Sequence, residues 1–224
     1  MIRRVLSWKM LLMVLALDAG CLPLFAQQAA VFTVDYTNAQ LTPSHWRLTL
    51  HEDGSGQFDA DGGQPTPENA KQILAGDVHR EIHLSQAFTQ QIFQTARQRK
   101  LFALPCESHM KVAFQGTKRL SYSGPEGSGT CEFNYSKDKE IQSLGSSLVG
   151  VETTILSGAR MEKLLQHDRL GLDWELEQLQ GAIHDGEAIE VGTIRETLER
   201  IASDEQVMER ARRNARLLLT QAHE

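Results

Sequence analysis

The hydrophobic period of this chain changes once, near Lys137. Before that point, runs such as VFTVDY (31–36) and HWRLTLH (45–51) alternate apolar with polar side chains, as strands with one buried face do. After it, apolar residues recur every three or four positions, which is typical of helices. These residues are Ile141, Leu144, Leu148, Val151 and Ile155. The sequence therefore predicts an α+β fold: an antiparallel sheet packed on one or two helices in two layers over 27–136, then a helical region over 137–224 whose first helix packs on the sheet.

Local signals place further elements. A strand is predicted at HREIHLS, and a three-stranded meander is predicted from MKVAFQG, TKRLSYSG and TCEFNYS, which begin at Met110, Thr117 and Thr130. Ser85 is a good N-cap for a helix that continues to about Lys100. Two capping boxes, at 193–196 and 203–206, predict two more helix starts.

The acidic, glycine-rich stretch HEDGSGQFDADGG (51–63) is compatible with a calcium loop or a hairpin turn. Its position between two strand-like runs favours the turn, because glycine permits positive φ and Asp53 can bond its own backbone. An EF-hand beginning at Asp59 requires glycine at the sixth position and glutamate at the twelfth, where this chain has Gln64 and Ala70.

The first residues have the layout of a secretory signal peptide. Basic residues precede an apolar run at 10–17, and small residues then lead to Ala26, after which cleavage is expected. Asp18 makes the run too short for a spanning helix, so no transmembrane segment is expected in the mature chain. The alternative is a lipid anchor at Cys21, since Ala-Gly-Cys resembles a lipoprotein box. The protein is thus predicted to be extracytoplasmic, either periplasmic or secreted.

Charge narrows the range of partners. Removal of residues 1–26 takes out three positive charges and one negative charge, so the formal net charge changes from −6 to −8. An acidic exported chain is poorly suited to binding nucleic acid. The expected partner is an unidentified protein or another component of the cell envelope.

Cysteine parity predicts one disulfide. With Cys21 assigned to the signal peptide or to lipidation, Cys106 and Cys131 remain as a pair. In an oxidising compartment such a pair forms a disulfide, and a nucleophilic cysteine is the competing interpretation.

A metal site could be built from His79, Glu81 and His83. On a strand, residues two apart project from the same face, and two imidazoles with a carboxylate can bind zinc. The alternative is the polar face of an ordinary strand, because three ligands in a flat row need a fourth from elsewhere to close a tetrahedron. We expect no cofactor.

Other functional signals are weak. Ser136 and Lys139 match the Ser-x-x-Lys motif of penicillin-interacting enzymes, but its companion motifs do not follow, and no nucleophile elbow, Walker loop or dinucleotide fingerprint occurs. A basic cluster near the C-terminus could contact a partner, although a solvated helix face is the default explanation, since arginines there also match the negative end of the helix dipole. The cluster consists of Arg210, Arg212, Arg213 and Arg216.

The order of elements over about residues 30–165 resembles an uncharacterised family of bacterial secreted domains. The resemblance is carried by a turn-bearing strand pair, a helix ending in KLFALP, a hairpin sheet and a further helix. This chain differs in lacking the paired cysteines that such domains carry in their first strand. The resemblance implies a two-layer α+β fold and no particular chemistry.

These observations favour an exported, non-catalytic binding or structural module that contacts its partner through the sheet face or the helical tail. The alternative is a metal-dependent hydrolase that combines His79, Glu81 and His83 with carboxylates of the 51–61 hairpin.

Overall fold

The computed structural model describes residues 29–63 and 74–222; the predicted signal peptide and Cys21 lie outside these ranges. The strands are β1 (Val31–Thr37), β2 (His45–His51), β3 (Ser55–Ala60), β4 (Val78–His83), β5 (Thr117–Gly124) and β6 (Gly127–Phe133). The α-helices are α1 (Gln86–Gln98), α2 (Lys139–His167), α3 (Gly171–His184), α4 (Arg195–Ser203) and α5 (Glu209–Gln221). The predicted α+β class, with helices following the sheet, is confirmed.

The described strands form one antiparallel sheet in the order β4-β3-β2-β1-β5-β6. Along each strand every second side chain points to the face that the helices cover. The cross-strand register aligns these side chains into rows across the sheet. One such row contains Val78, Ala60, Trp46, Tyr36, Lys118 and Phe133. Five of these side chains are apolar or aromatic, and Lys118 is the exception.

Two helices cover the inward face. Ser85 caps α1 as predicted, accepting a hydrogen bond from the Phe88 amide at 3.2 Å. At the far end of α1, Arg99 pairs with Asp138, the N-cap of α2. From there α2 runs back across the sheet, with Gly145 against Lys118 of β5 and Gly158 near Arg80 of β4. The two helices therefore lie antiparallel on one layer.

The remaining helices form a second apolar cluster with the end of α2. Residues of α2 up to Ala159 belong to the sheet core, whereas those from Met161 onward pack with α3, α4 and α5. No helix in the described ranges is long and apolar enough to cross a membrane.

Polar contacts also join the two clusters. The Glu162 carboxylate of α2 accepts hydrogen bonds from Arg80 of β4 at 2.6 Å and from Thr197 of α4 at 2.7 Å. The Glu190 carboxylate accepts bonds from the Ser85 amide and hydroxyl at 2.6 and 2.7 Å. Side chains from the helical region thus hold both β4 and the start of α1.

The predicted disulfide is confirmed. Cys106 and Cys131 are bonded with S–S 2.04 Å and Cα–Cα 5.6 Å, and the bond links the coil after α1 to β6.

The predicted meander is wrong in its first strand. Residues 110–116 form no strand, and only β5 and β6 pair. Side chains form the hydrogen bonds with the backbone of this segment that a neighbouring strand would have formed. Asn134 accepts from the Gln115 amide at 2.6 Å and donates to the Ala113 carbonyl at 3.2 Å, and the Tyr36 hydroxyl donates to the Gln115 carbonyl at 2.9 Å.

Both predicted capping boxes are also wrong. Helix α4 begins at Arg195, two residues after Thr193, whose hydroxyl donates to the Glu190 carbonyl. Ser203 is the last residue of α4, with its hydroxyl bonded within that helix, and α5 begins only at Glu209.

Candidate functional site

The sheet face opposite α1 and α2 carries a row of alternating charge. Register places one charged or titratable residue of each strand in this row, in the order His79, Asp59, Arg47, Asp35, Arg119 and Glu132. Arg47 Nε donates to Asp35 Oδ2 at 2.9 Å, and Arg119 Nη2 donates to Glu132 Oε2 at 2.7 Å. Although partial burial opposes it, the bonds from Arg47 and His45 lower the pKa of Asp35. The row is a ladder of ion pairs that stabilises the register.

The proposed metal ligands lie along β4 on the sheet face opposite α1 and α2, here termed the open face. His79, Glu81 and His83 are all exposed, and β3 places Asp59, Gln57 and Ser55 opposite them. His79 Nδ1 lies 2.9 Å from Asp59 Oδ1, and this hydrogen bond raises the pKa of His79. Among the described residues, no group of three or more histidine, cysteine or acidic side chains has an arrangement that could hold a metal ion.

The stretch at 51–63 contains the β2–β3 turn at 52–54, as predicted, and continues into β3. Gly54 adopts φ +86°, and Asp53 Oδ1 accepts from the Ser55 amide at 2.9 Å and from its hydroxyl at 2.6 Å. Asp59 and Asp61 face His79 and His45, respectively. The acidic side chains of this hairpin are thus directed toward separate partners.

The C-terminal arginines are largely engaged within the fold. Arg210 pairs with the buried Asp173 of α3, and both Arg212 and Arg216 pair with Glu209 on their own helix. Arg213 is exposed and forms no ion pair within the described part of the chain. Arg210 therefore fastens α5 to α3, and Arg213 is the member of the cluster that could make an external contact.

One exposed apolar segment of the described chain was predicted as a strand and is a loop. Residues 109–115, with the sequence HMKVAFQ and here termed the apolar loop, are exposed throughout. Met110, Val112 and Phe114 are 51%, 39% and 53% exposed. The alternation of apolar and polar residues that predicted a strand here was also the sequence signal for this exposed segment. An alternating run that pairs with no strand leaves its apolar side chains in solvent.

The apolar loop is fixed at both ends. At its start, the Ser108 amide donates to the Tyr135 carbonyl at 2.9 Å, and the adjacent Cys106 is bonded to β6. At its end, Asn134 and Tyr36 hold Gln115, as described above. Ser108 and Gln115 both meet the residues just after β6, so the loop projects from one end of the sheet.

Lysines surround the base of this loop. Five of the six lysines in the described ranges fall between residues 100 and 139. Lys111 lies in the loop, and Lys137 and Lys139 follow the Tyr135 anchor; all three are exposed and form no ion pair within residues 29–63 and 74–222. Charge and apolar exposure thus coincide at one end of the sheet.

A buried lysine lies beneath the same end. Lys118 is 4% exposed, and its ammonium is within 6 Å of the rings of Tyr36 and Phe133. Its Nζ contacts two backbone carbonyls at a distance of 3.5 Å. Burial lowers the pKa of Lys118. Because this amine is enclosed, it contributes to the packing of the loop base.

No protein-family model matches this sequence, and no curated protein is similar enough to count as a relative. Function is therefore inferred from the geometry of the described residues.

Proposed function

We propose that this protein is an exported, non-catalytic binding or structural module of the cell envelope. The observation that carries the proposal is the apolar loop, because a fixed segment that exposes three apolar side chains is typical of a contact surface. The Cys106–Cys131 disulfide supports an oxidising location, where such bonds persist.

The charged residues of the open face support a non-catalytic role. Asp35, Asp59 and Glu132 each have a cross-strand partner, which favours a structural use of their charges. The hydrolase alternative gains no support from this geometry, because His79 is bonded to Asp59 and the ligands it requires do not converge among the described residues.

One exported sample tests both parts of the proposal. We expect intact mass to show loss of the first 26 residues, and we expect Leu15→Arg, which places a charge in the apolar run, to retain the precursor in the cell. Retention of Met1 in the parent protein would contradict export.

Elemental analysis of the same sample tests the non-catalytic part. We expect no stoichiometric zinc after dialysis. Bound zinc that is lost in His83→Ala but kept in His109→Ala, a control at another exposed histidine, would favour the hydrolase.

A further inference from the structure

The apolar loop and the lysines at its base form one amphipathic surface, and we propose that this surface docks on anionic phospholipid headgroups. The proposal deepens the proposed function by naming the chemistry of the envelope partner. In this arrangement the apolar loop lies at the membrane interface. Its apolar side chains insert among the acyl chains nearest the headgroups, and the lysines lie at the level of the lipid phosphates.

The apolar tip supplies the first part of the interaction. Met110, Val112 and Phe114 are separated by one residue each, and every residue from 109 to 115 is exposed. Leu41, which is 53% exposed, lies in the β1–β2 connection at the same end of the sheet, where Asn38 and Gln115 both bond the Tyr36 hydroxyl. Insertion removes this apolar surface from water.

The electrostatics select an anionic surface. Lys111, Lys137 and Lys139 form no ion pair within the described residues, whereas two neighbouring carboxylates do. Asp138 and Glu140 both pair with Arg99, whereas Glu107 accepts a hydrogen bond from the Asn134 amide at 2.7 Å, which lowers the pKa of Glu107 and keeps it negative. The three lysines and Arg99 thus supply four positive charges against the three negative charges of Asp138, Glu140 and Glu107. The chain as a whole is acidic, with a formal net charge of −6. A locally basic end on an acidic protein orients it toward anionic headgroups.

The hydrogen bonds at the loop base reduce the entropy lost on docking. Asn134, Tyr36 and the Cys106–Cys131 bond already hold the backbone on either side of the tip. Docking therefore orders side chains without having to order the backbone.

Sedimentation with lipid vesicles tests the proposal. The purified exported protein is mixed with vesicles of phosphatidylcholine alone or of phosphatidylcholine with added phosphatidylglycerol, at low and at high salt. We expect binding only to the phosphatidylglycerol vesicles, weakening as salt rises. Phe114→Ser should lower the partition coefficient about tenfold or more, and Lys111→Gln about fivefold.

Matched controls separate the loop from the rest of the surface. Leu217→Ser removes an apolar side chain that is 54% exposed on α5, and Arg213→Gln removes an exposed charge there that has no ion pair among the described residues; both variants should bind as the parent does. Any contribution of residues 1–28 is the same in the parent and in every variant. Circular dichroism confirms that each variant is folded.

Three outcomes overturn the proposal. The first is that the parent does not bind anionic vesicles. The second is that the loop variants and their controls lose binding equally. The third is that the parent forms a concentration-dependent dimer, that Phe114→Ser abolishes this dimer, and that neither protein binds vesicles. The last outcome would assign the loop to a second copy of the chain. None of these outcomes bears on export or on zinc content, so a failure here is distinguishable from failure of the proposed function.

Discussion

Glu152 lies on α2. Burial raises the pKa of Tyr36, and the charge of Glu152 adds to that rise. Burial raises the pKa of Glu152 from 4.5 to about 7, and the nearby Arg160 opposes the rise. At a pH between these two pKa values, the Glu152 carboxyl is deprotonated in the unfolded chain and protonated in the folded chain. Stability therefore falls as pH rises through this window.

Glu152→Gln should remove this dependence. Near pH 4.5 the variant and the parent should be about equally stable, because a protonated carboxyl and an amide are similar. By pH 8 the variant should be more stable by on the order of 2 kcal/mol. Urea unfolding at both pH values measures the difference. Glu81→Gln, an exposed carboxylate on the open face, is the control, and an equal gain there would contradict the assignment to Glu152.

At the scale of elements, the disulfide fastens the coil after α1 to β6. The loop that it closes spans a sequence separation of 25, which corresponds to roughly 3 kcal/mol in the chain-entropy model. Cys106→Ala and Cys131→Ala should each lower the free energy of unfolding by about 2 to 5 kcal/mol. The double variant should be no less stable than either single variant, because one bond is lost in all three.

Urea unfolding without reductant measures these values, with the reduced parent as control. Additive losses in the double variant would show that the two side chains stabilise the fold independently of their bond.

Element types were predictable where a single segment determines them. The apolar stripe of α1 and the cap at Ser85 are local, and both were correct. The prediction for 110–116 failed because β1 occupies the edge of β5 beside which this strand was expected, and Asn134 and Tyr36 bond the backbone of Gln115 instead. The capping boxes failed for a similar reason, since the Thr193 hydroxyl bonds the Glu190 carbonyl instead.

The site was less predictable, because it depends on register. His79, Glu81 and His83 do share one face, as expected for a strand. Their neighbours are set by the pairing of β3 with β4, which brings Asp59 to His79, and no pattern within β4 specifies that pairing. The pairing of Arg210 could not be predicted without the position of α3.

At the scale of the whole molecule, α2 is shared by the sheet core and the helical cluster. Because one helix belongs to both, we expect the two clusters to unfold together. Trp46, buried in the sheet core, reports that cluster by fluorescence in a Trp174→Phe background, and helical circular dichroism, to which α3, α4 and α5 also contribute, reports both clusters together. The two probes should give one midpoint, and two separate midpoints would contradict the prediction.

Glu162→Gln should lower that common midpoint. Its carboxylate bonds both Arg80 and Thr197, so loss of the charge weakens contacts to β4 and to α4 together. We expect a loss of about 1 to 3 kcal/mol in the free energy of unfolding, equal by both probes. Glu205→Gln, an exposed carboxylate after α4, serves as the control and should change stability little.

The order of strands in the sheet also governs the sequence of folding events. β1 lies between β2, its neighbour in the chain, and β5, so that Thr37 pairs with Thr117 across the intervening β2, β3, β4 and α1. Strands β1 to β4 can assemble from successive hairpins, but one edge of β1 stays open until the β5–β6 hairpin has emerged and docked. Distant pairings of this kind form slowly. That edge is consequently where incompletely folded copies would first associate, and the rate of hairpin docking sets how long the risk lasts.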